Sequence, residues 1–173
     1  MEYRKQDTSN KLVILRGNSG SGKTATAQML QKKIGINTLL ISQDEVCQSM
    51  LRTHDGNNPL MQEMINTLLL FGKKHCDVTI LEGRLFSEWY NKTIRRAVMM
   101  FSHRIYAYYF DLSFEETVRR NQAKPEALRY TKRELQFWWR EKDLLQTIHE
   151  NRITDGESME QVLDRIMRDL GLI

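Results

Sequence analysis

Cysteine is almost missing from this chain: Cys47 and Cys76 stand alone, with no CxxC spacing. Two isolated thiols make neither a disulfide framework nor a zinc knuckle, so a reduced, cytoplasmic setting is expected. Long apolar runs are missing too. The longest, such as Ala97-Val98-Met99-Met100-Phe101, fall far short of the roughly 18 residues that a membrane span needs, and residues 1–7 lack the apolar region of a signal peptide. A soluble, unexported protein with no membrane partner is expected. His54, His75, His103 and His149 are scattered without metal-ligand spacing, and there is no internal repeat or low-complexity stretch. None of this sets an oligomeric state.

The 173 residues, 40% of them hydrophobic, suffice for one sizeable core. The expectation is a loose polar segment over residues 1–10 and a single domain over residues 11–173. The net charge of +4 is unevenly spread. Residues 119–142 carry eight cations against three acids, a balance of +5, which leaves −1 for the rest. Clustered positive charge suits an anionic ligand, either a nucleoside triphosphate or a nucleic acid, although a solvated helix face would read the same way.

The most specific signal is Gly17-Asn18-Ser19-Gly20-Ser21-Gly22-Lys23-Thr24, between the apolar Leu12–Leu15 and the helical pattern from Ala25. The spacing GxxxxGK[ST] between strand and helix defines a phosphate-binding loop. Glycines let the backbone curl until several N–H groups face one point, and the helix adds its positive end there. Lys23 is then placed to reach the β- and γ-phosphates, and the Thr24 hydroxyl to ligand Mg²⁺.

Apolar runs recur at Leu12–Leu15, Thr38–Ile41, Val78–Leu81, Ile105–Phe110 and, more weakly, around Arg152–Thr154, with helical patterns between them. Such alternation predicts an α/β protein with a parallel sheet covered on both faces. Ser113 with Glu116, Thr131 with Glu134 and Ser158 with Gln161 mark helix starts, and Gly35 suits a left-handed helix end. Residues 55–59, Asp-Gly-Asn-Asn-Pro, read as a turn between two helical segments.

Ligands of open α/β sheets sit beyond the carboxyl ends of the strands, where three acids fall: Asp44, Glu82 and Asp111. Asp111, directly before Leu112-Ser113, reads as a helix cap. Asp44 opens a helix where an acceptor would lie, and an acid there can receive or orient its hydroxyl proton. Glu82 takes the place where an aspartate often holds the Mg²⁺ shell. Glu82-Gly83-Arg84 could hold a metal-bound water, contact the acceptor, or close the strand.

The basic segment reads as a helical lid over about residues 119–142. Arg120 and Lys124 lie four apart and so on one helix face, Pro125 breaks that helix, and Arg129 sits between it and the helix capped by Thr131. A cation delivered from such a segment would neutralise charge on a phosphoryl group in flight. Trp138 and Trp139 are expected to anchor the second lid helix to the core.

With the loop, the strand-end acids and the basic lid in place, the chain from about Lys11 to Leu170 resembles the phosphate-loop small-molecule kinases, especially the zeta-toxin and chloramphenicol-phosphotransferase-like group. The resemblance implies a three-layer fold with a five-stranded parallel sheet in the order 2-3-1-4-5. It implies that ATP, held at Gly17 to Thr24, is used with Mg²⁺, and that Asp44 engages the hydroxyl to be phosphorylated. It carries adenine or phosphate contacts onto Arg120 and Arg129. Where many relatives have a second arginine this chain has Lys124, which cannot make the bidentate contact.

The leading expectation is therefore a kinase that uses a nucleoside triphosphate and a small-molecule hydroxyl acceptor: a nucleoside, a sugar nucleotide or an antibiotic. A polynucleotide 5′-hydroxyl kinase, favoured by the basic segment, is a second reading. A nucleotide-dependent switch or binder is a third, weakened because neither Asn10-Lys11-Leu12-Val13 nor Asn91-Lys92-Thr93-Ile94 completes an Asn-Lys-x-Asp motif.

Overall fold

The five apolar runs form the five strands of one sheet in a computed structural model that describes residues 10–126 and 129–173. The expected loose segment, apart from Asn10, lies outside the described residues. Strands β1 (Lys11–Gly17), β2 (Thr38–Ser42), β3 (Val78–Gly83), β4 (Ile105–Phe110) and β5 (Asn151–Ile153) lie in the order β2-β3-β1-β4-β5, and every neighbouring pair is parallel. The order foreseen from the family resemblance is the order found.

Parallel strands connect through crossovers, and here the crossovers cover both faces. Helices α3 (Pro59–His75) and α4 (Ser87–Phe101) bury Ile65, Leu69, Tyr90, Ile94 and Phe101 against Leu12, Ile14, Ile41 and Leu81. On the other face α1 (Lys23–Ile34) and α7 (Met159–Asp169) bury Leu30, Val162 and Ile166 against Val13, Leu15, Ile80 and Phe110. Because β1 is covered twice it reads as a continuous apolar run, and each of its fully buried Leu, Val or Ile side chains contributes about 1.5–3 kcal/mol.

Local chemistry sets the helix boundaries. Asn58 accepts from the Leu60 amide and Pro59 takes the first position of α3. Thr131 and Ser158 form complete capping boxes with Glu134 and Gln161, opening α6 (Lys132–Phe137) and α7. Ser113 caps α5 (Phe114–Gln122) alone, since the Glu116 carboxylate is taken by Arg119 and Arg120. Gly35 ends α1 with a positive φ of 95°, but at ψ −143° it lies outside the left-handed helical region.

Four local expectations are corrected. Asp111 caps no helix; its carboxylate accepts from Arg152 of β5. Helix α5 ends at Gln122, so Lys124 lies just past the helix that was to carry it. Helix α6 stops before Trp138, and both tryptophans are half-buried on the lid, against Tyr130 and Phe114 respectively, while Leu135 is its buried anchor. The helix after β2 begins as α2 (Gln43–Glu45) and continues as a π-helical turn over Val46–Met50. Among the described residues no helix is long and apolar enough to cross a membrane.

Candidate functional site

The loop leaves the end of β1 and enters α1 through glycines that no other residue could replace unstrained. Gly20 has φ 82°, and a Cβ there would lie 2.9 Å from the carbonyl of Thr117; Gly22, at φ 95°, is the residue before the first turn of α1. The leading amides of α1 lack intrahelical partners and are free for an anion. Lys23 folds back on the loop, where Nζ donates to the Asn18 carbonyl (2.7 Å) and to Ser21 Oγ (3.2 Å).

Sheet register brings the strand-end residues together. Ser42 pairs with Glu82 across β2 and β3, and Leu15 with Glu82 across β1 and β3. Glu82, 2% exposed, accepts from Ser42 Oγ at 2.6 Å and from Thr24 Oγ1 at 3.2 and 3.3 Å. Thr24 and Glu82 thus offer hard oxygen donors at one point, a set that suits Mg²⁺. That ion keeps several waters and takes one or two carboxylates with substrate phosphates, so no closed protein cage is needed.

Burial dominates the electrostatics. It lowers the Lys23 ammonium from 10.5 to about 8, against the opposing pull of Glu82 and Asp44. It raises the Glu82 carboxyl, against Lys23 and the Ser42 hydrogen bond. It lowers Lys124 as well, against Asp44 and Glu82. Neighbours of opposite sign offset part of the cost of burial at each group.

One cavity gathers most of the expected residues: Ser19, Gly20, Gly22, Lys23 and Thr24 of the loop line it together with Asp44, Glu82, Arg84, Lys124 and Tyr130. A second cavity of about 590 Å³ adjoins it, between Gly20, Gly22, Arg120 and Lys124 on one side and residues 155–159 and Val162 on the other. Arg120 spans the two walls, donating from Nη1 to the Ser21 carbonyl (3.0 Å) and from Nη2 to the Glu157 carbonyl (3.3 Å) while Glu116 holds its Nε. Arg129 is not brought to either cavity. It is exposed, and its Nε donates to the Lys124 carbonyl. Gly17 and Asn18 serve as the loop's root: a Cβ on Gly17 would meet the Phe110 carbonyl at 2.8 Å.

The lid is pinned by two asparagines. Asn18 donates to the Arg140 carbonyl (2.7 Å) and accepts from the Arg140 amide (2.9 Å). Asn121 does the same with Tyr130, at 2.7 and 3.1 Å. Beside the first pin, the fully buried Arg16 reaches Asp143 (2.8 Å), Glu150 (2.8 Å) and the carbonyls of Leu85 and Asp143, both at 3.0 Å. Sequence reading missed this group. An arginine inside an apolar strand was the available signal, because such a charge is buried only when paired.

Ser42, Gln43 and Tyr130 were missed too. Gln43 packs so tightly on Gly83 that a Cβ there would lie 2.6 Å from its own; its Oε1 accepts from the Leu85 amide (2.9 Å) and its Nε2 donates to Asp55 (3.3 Å).

A family model described as an AAA domain matches residues 12–138. Several solved structures share the fold. A gluconokinase from Sinorhizobium meliloti 1021 superposes with a TM-score of 0.67 at 10% identity, covering 93% of this chain and 91% of its own. The Mycobacterium tuberculosis APS kinase in complex with AMPPNP and APS gives 0.63 at 18% identity, covering 94% and 97%. A tunicamycin resistance protein from Deinococcus radiodurans gives 0.64 at 15% identity, covering 95% and 97%. No curated protein sequence matches the chain significantly.

Proposed function

The chain belongs to the AAA domain family, and from that premise we propose that it is an ATP- and Mg²⁺-dependent phosphotransferase acting on a hydroxyl of a small molecule. The observation that carries this reading is the one cavity that the phosphate-binding loop shares with Asp44, Glu82 and Arg84. A switch needs only the loop; an acid in the same cavity is what an acceptor needs. The kinase names borne by structures of the same fold support the reading, and the finer resemblance to the zeta-toxin and chloramphenicol-phosphotransferase-like group is part of the proposal, as is one domain over residues 11–173.

In this reading the nucleoside lies in the larger cavity beside Arg120, and the phosphates lie along Ser19 to Thr24. Mg²⁺, held through Thr24 and Glu82, would neutralise phosphate charge. Lys23 leaves the Asn18 carbonyl for the β- and γ-oxygens. The acceptor oxygen attacks the γ-phosphorus, the bond to the β,γ-bridging oxygen breaks, and the hydroxyl proton passes to Asp44. Positioning and fixed cations supply the catalysis. Arg120 and Lys124 face the phosphates, and Arg129 reaches them only by leaving the Lys124 carbonyl as the lid closes.

The test is label transfer from γ-phosphate-labelled ATP to a panel of nucleosides, sugar nucleotides, aminoglycosides and 5′-hydroxyl oligonucleotides. Transfer to a small alcohol that is lost in Lys23→Ala is expected. The exposed lid cations Lys132, Arg133 and Arg140 favour one second reading, a polynucleotide 5′-hydroxyl kinase. Labelled oligonucleotide, with activity falling steeply as salt rises, would replace the small-molecule acceptor.

A further inference from the structure

Arg84 carries a charge that the transfer described above does not use. Its side chain is only 12% exposed, with the guanidinium 5.6 Å from the Phe86 ring centre and 5.2 Å from that of Trp138. Stacked guanidinium groups are held flat and oriented, which is how arginine reads planar or tetrahedral oxyanions. Arg140 lies over the same Phe86 ring at 5.2 Å but is exposed. Arg84 lines the cavity between the loop and Asp44, on the acceptor side.

Its partner is not part of the rigid scaffold. Among the described residues the one carboxylate paired with Arg84 is Asp55, which sits in the turn over residues 51–58 and whose side chain is 35% exposed. Asp55 is steadied by its own turn, where Oδ1 accepts from the Gly56 amide (2.9 Å), and by Gln43. By contrast, the buried Arg16 is met by two carboxylates and two carbonyls of the fold. A structural arginine is surrounded; Arg84 is pre-oriented at a cavity, paired with the surface carboxylate of Asp55 and close enough to Asp44 to feel its charge.

Resting on the kinase reading above, we propose that the phosphoryl acceptor is an alcohol that also bears an oxyanion, a carboxylate or a phosphate, and that this group takes the place on Arg84 that Asp55 holds. Asp55 acts as an internal competitor. It keeps the guanidinium paired, and it makes the acceptor's affinity the difference between two carboxylate-like contacts. Neutral acceptors gain nothing from Arg84, because they leave the Asp55 pair in place.

The test reads binding directly, with the loop occupied by Mg·AMPPNP. Inorganic phosphate and acetate are titrated separately, with glycerol as the uncharged control, and the backbone amide resonances of Gly83 and Leu85 are followed by NMR in the wild type and in each variant. Saturable shifts with at least one of the two anions and none with glycerol are expected; the tighter anion names the group. Asp55→Asn, which removes the competitor on an exposed turn, should tighten that binding about tenfold, and Arg84→Gln should weaken it about thirtyfold. Arg84→Lys should recover little, because an ammonium does not reproduce the fork. No shift with either anion, unchanged affinity in Asp55→Asn, or equal binding by Arg84→Gln would overturn the proposal. AMPPNP binding, read separately by displacement of a fluorescent nucleotide, tests the kinase reading. Its failure leaves the difference between the wild type and Arg84→Gln in anion titration fully readable.

Discussion

Nucleotide binding should take up protons, and Lys23 sets where. In the free protein burial brings its ammonium down to about 8 from the ordinary 10.5. A triphosphate placed against it favours the charged form. Between these two values the free protein holds the amine mostly neutral while the complex holds it charged, so binding draws most of its protons from solvent in that window. With the ordinary value restored in the complex, uptake is about 0.1 proton at pH 7, about 0.5 at pH 8 and about 0.9 at pH 9. The same linkage weakens ATP binding on the order of tenfold at pH 9 relative to pH 6. Restoring the ordinary value corresponds to a coupling of roughly 3 kcal/mol between this charge and the ligand, at about 1.36 kcal/mol per tenfold step. Calorimetry of Mg²⁺-free ATP in buffers of unlike ionisation enthalpy measures the uptake, above about pH 8, where the phosphates themselves are ionised. Lys23→Arg, charged throughout, is the control and should show none. Absence of uptake at pH 9, or the same uptake in Lys23→Arg, would refute the reasoning.

Three further outcomes follow from the same geometry. Asp44→Asn should lower transfer to the true acceptor by about 100-fold or more, the scale of a positioned acid–base group, while ATP affinity stays within about twofold. Unchanged turnover in a steady-state assay would return Asp44 to a helix-opening role. Glu82→Gln should raise the Mg²⁺ concentration for half-maximal transfer about tenfold and leave Mg²⁺-free ATP binding alone, as a metal titration at fixed ATP would show. Arg16→Met strands Glu150 and Asp143 and should cost about 3–5 kcal/mol, moving the urea midpoint down by about 2 M at an m-value of about 2 kcal/mol/M; Arg16→Met with Glu150→Leu should recover much of it. A midpoint within about 0.5 M of wild type in the single variant would contradict the burial of that group.

The loop was legible because its meaning is local: spacing, glycine conformation and a helix start are all written within eight residues. The strands were legible because a doubly covered parallel sheet demands uninterrupted apolar runs, and the same logic pointed to Asp44 and Glu82 as strand-end acids. The partners were not. Ser42 reaches Glu82 through register between strands forty residues apart, and Arg16 finds Asp143 and Glu150 more than 120 residues away. No periodicity encodes such pairings. The Arg84–Asp55 pair was hidden for a related reason. The turn holding Asp55 was recognised by its glycine, asparagines and proline, yet turn chemistry says how a chain reverses and not what its side chains face. Arg120 and Lys124 were rightly drawn to one place, although by the cavity wall and not by a shared helix.

The two asparagine pins divide the molecule's labour. Asn18 and Asn121 each grip one residue of the lid on both its amide and its carbonyl, so the stretch from residue 131 to residue 139 is fastened at its ends by backbone atoms that every residue but proline possesses. Its exposed side chains, such as Lys132, Arg133 and Phe137, take no part in that fastening, whereas Leu135 stays buried and Thr131 and Glu134 cap the helix. Change at those exposed positions leaves the loop and the sheet as they are.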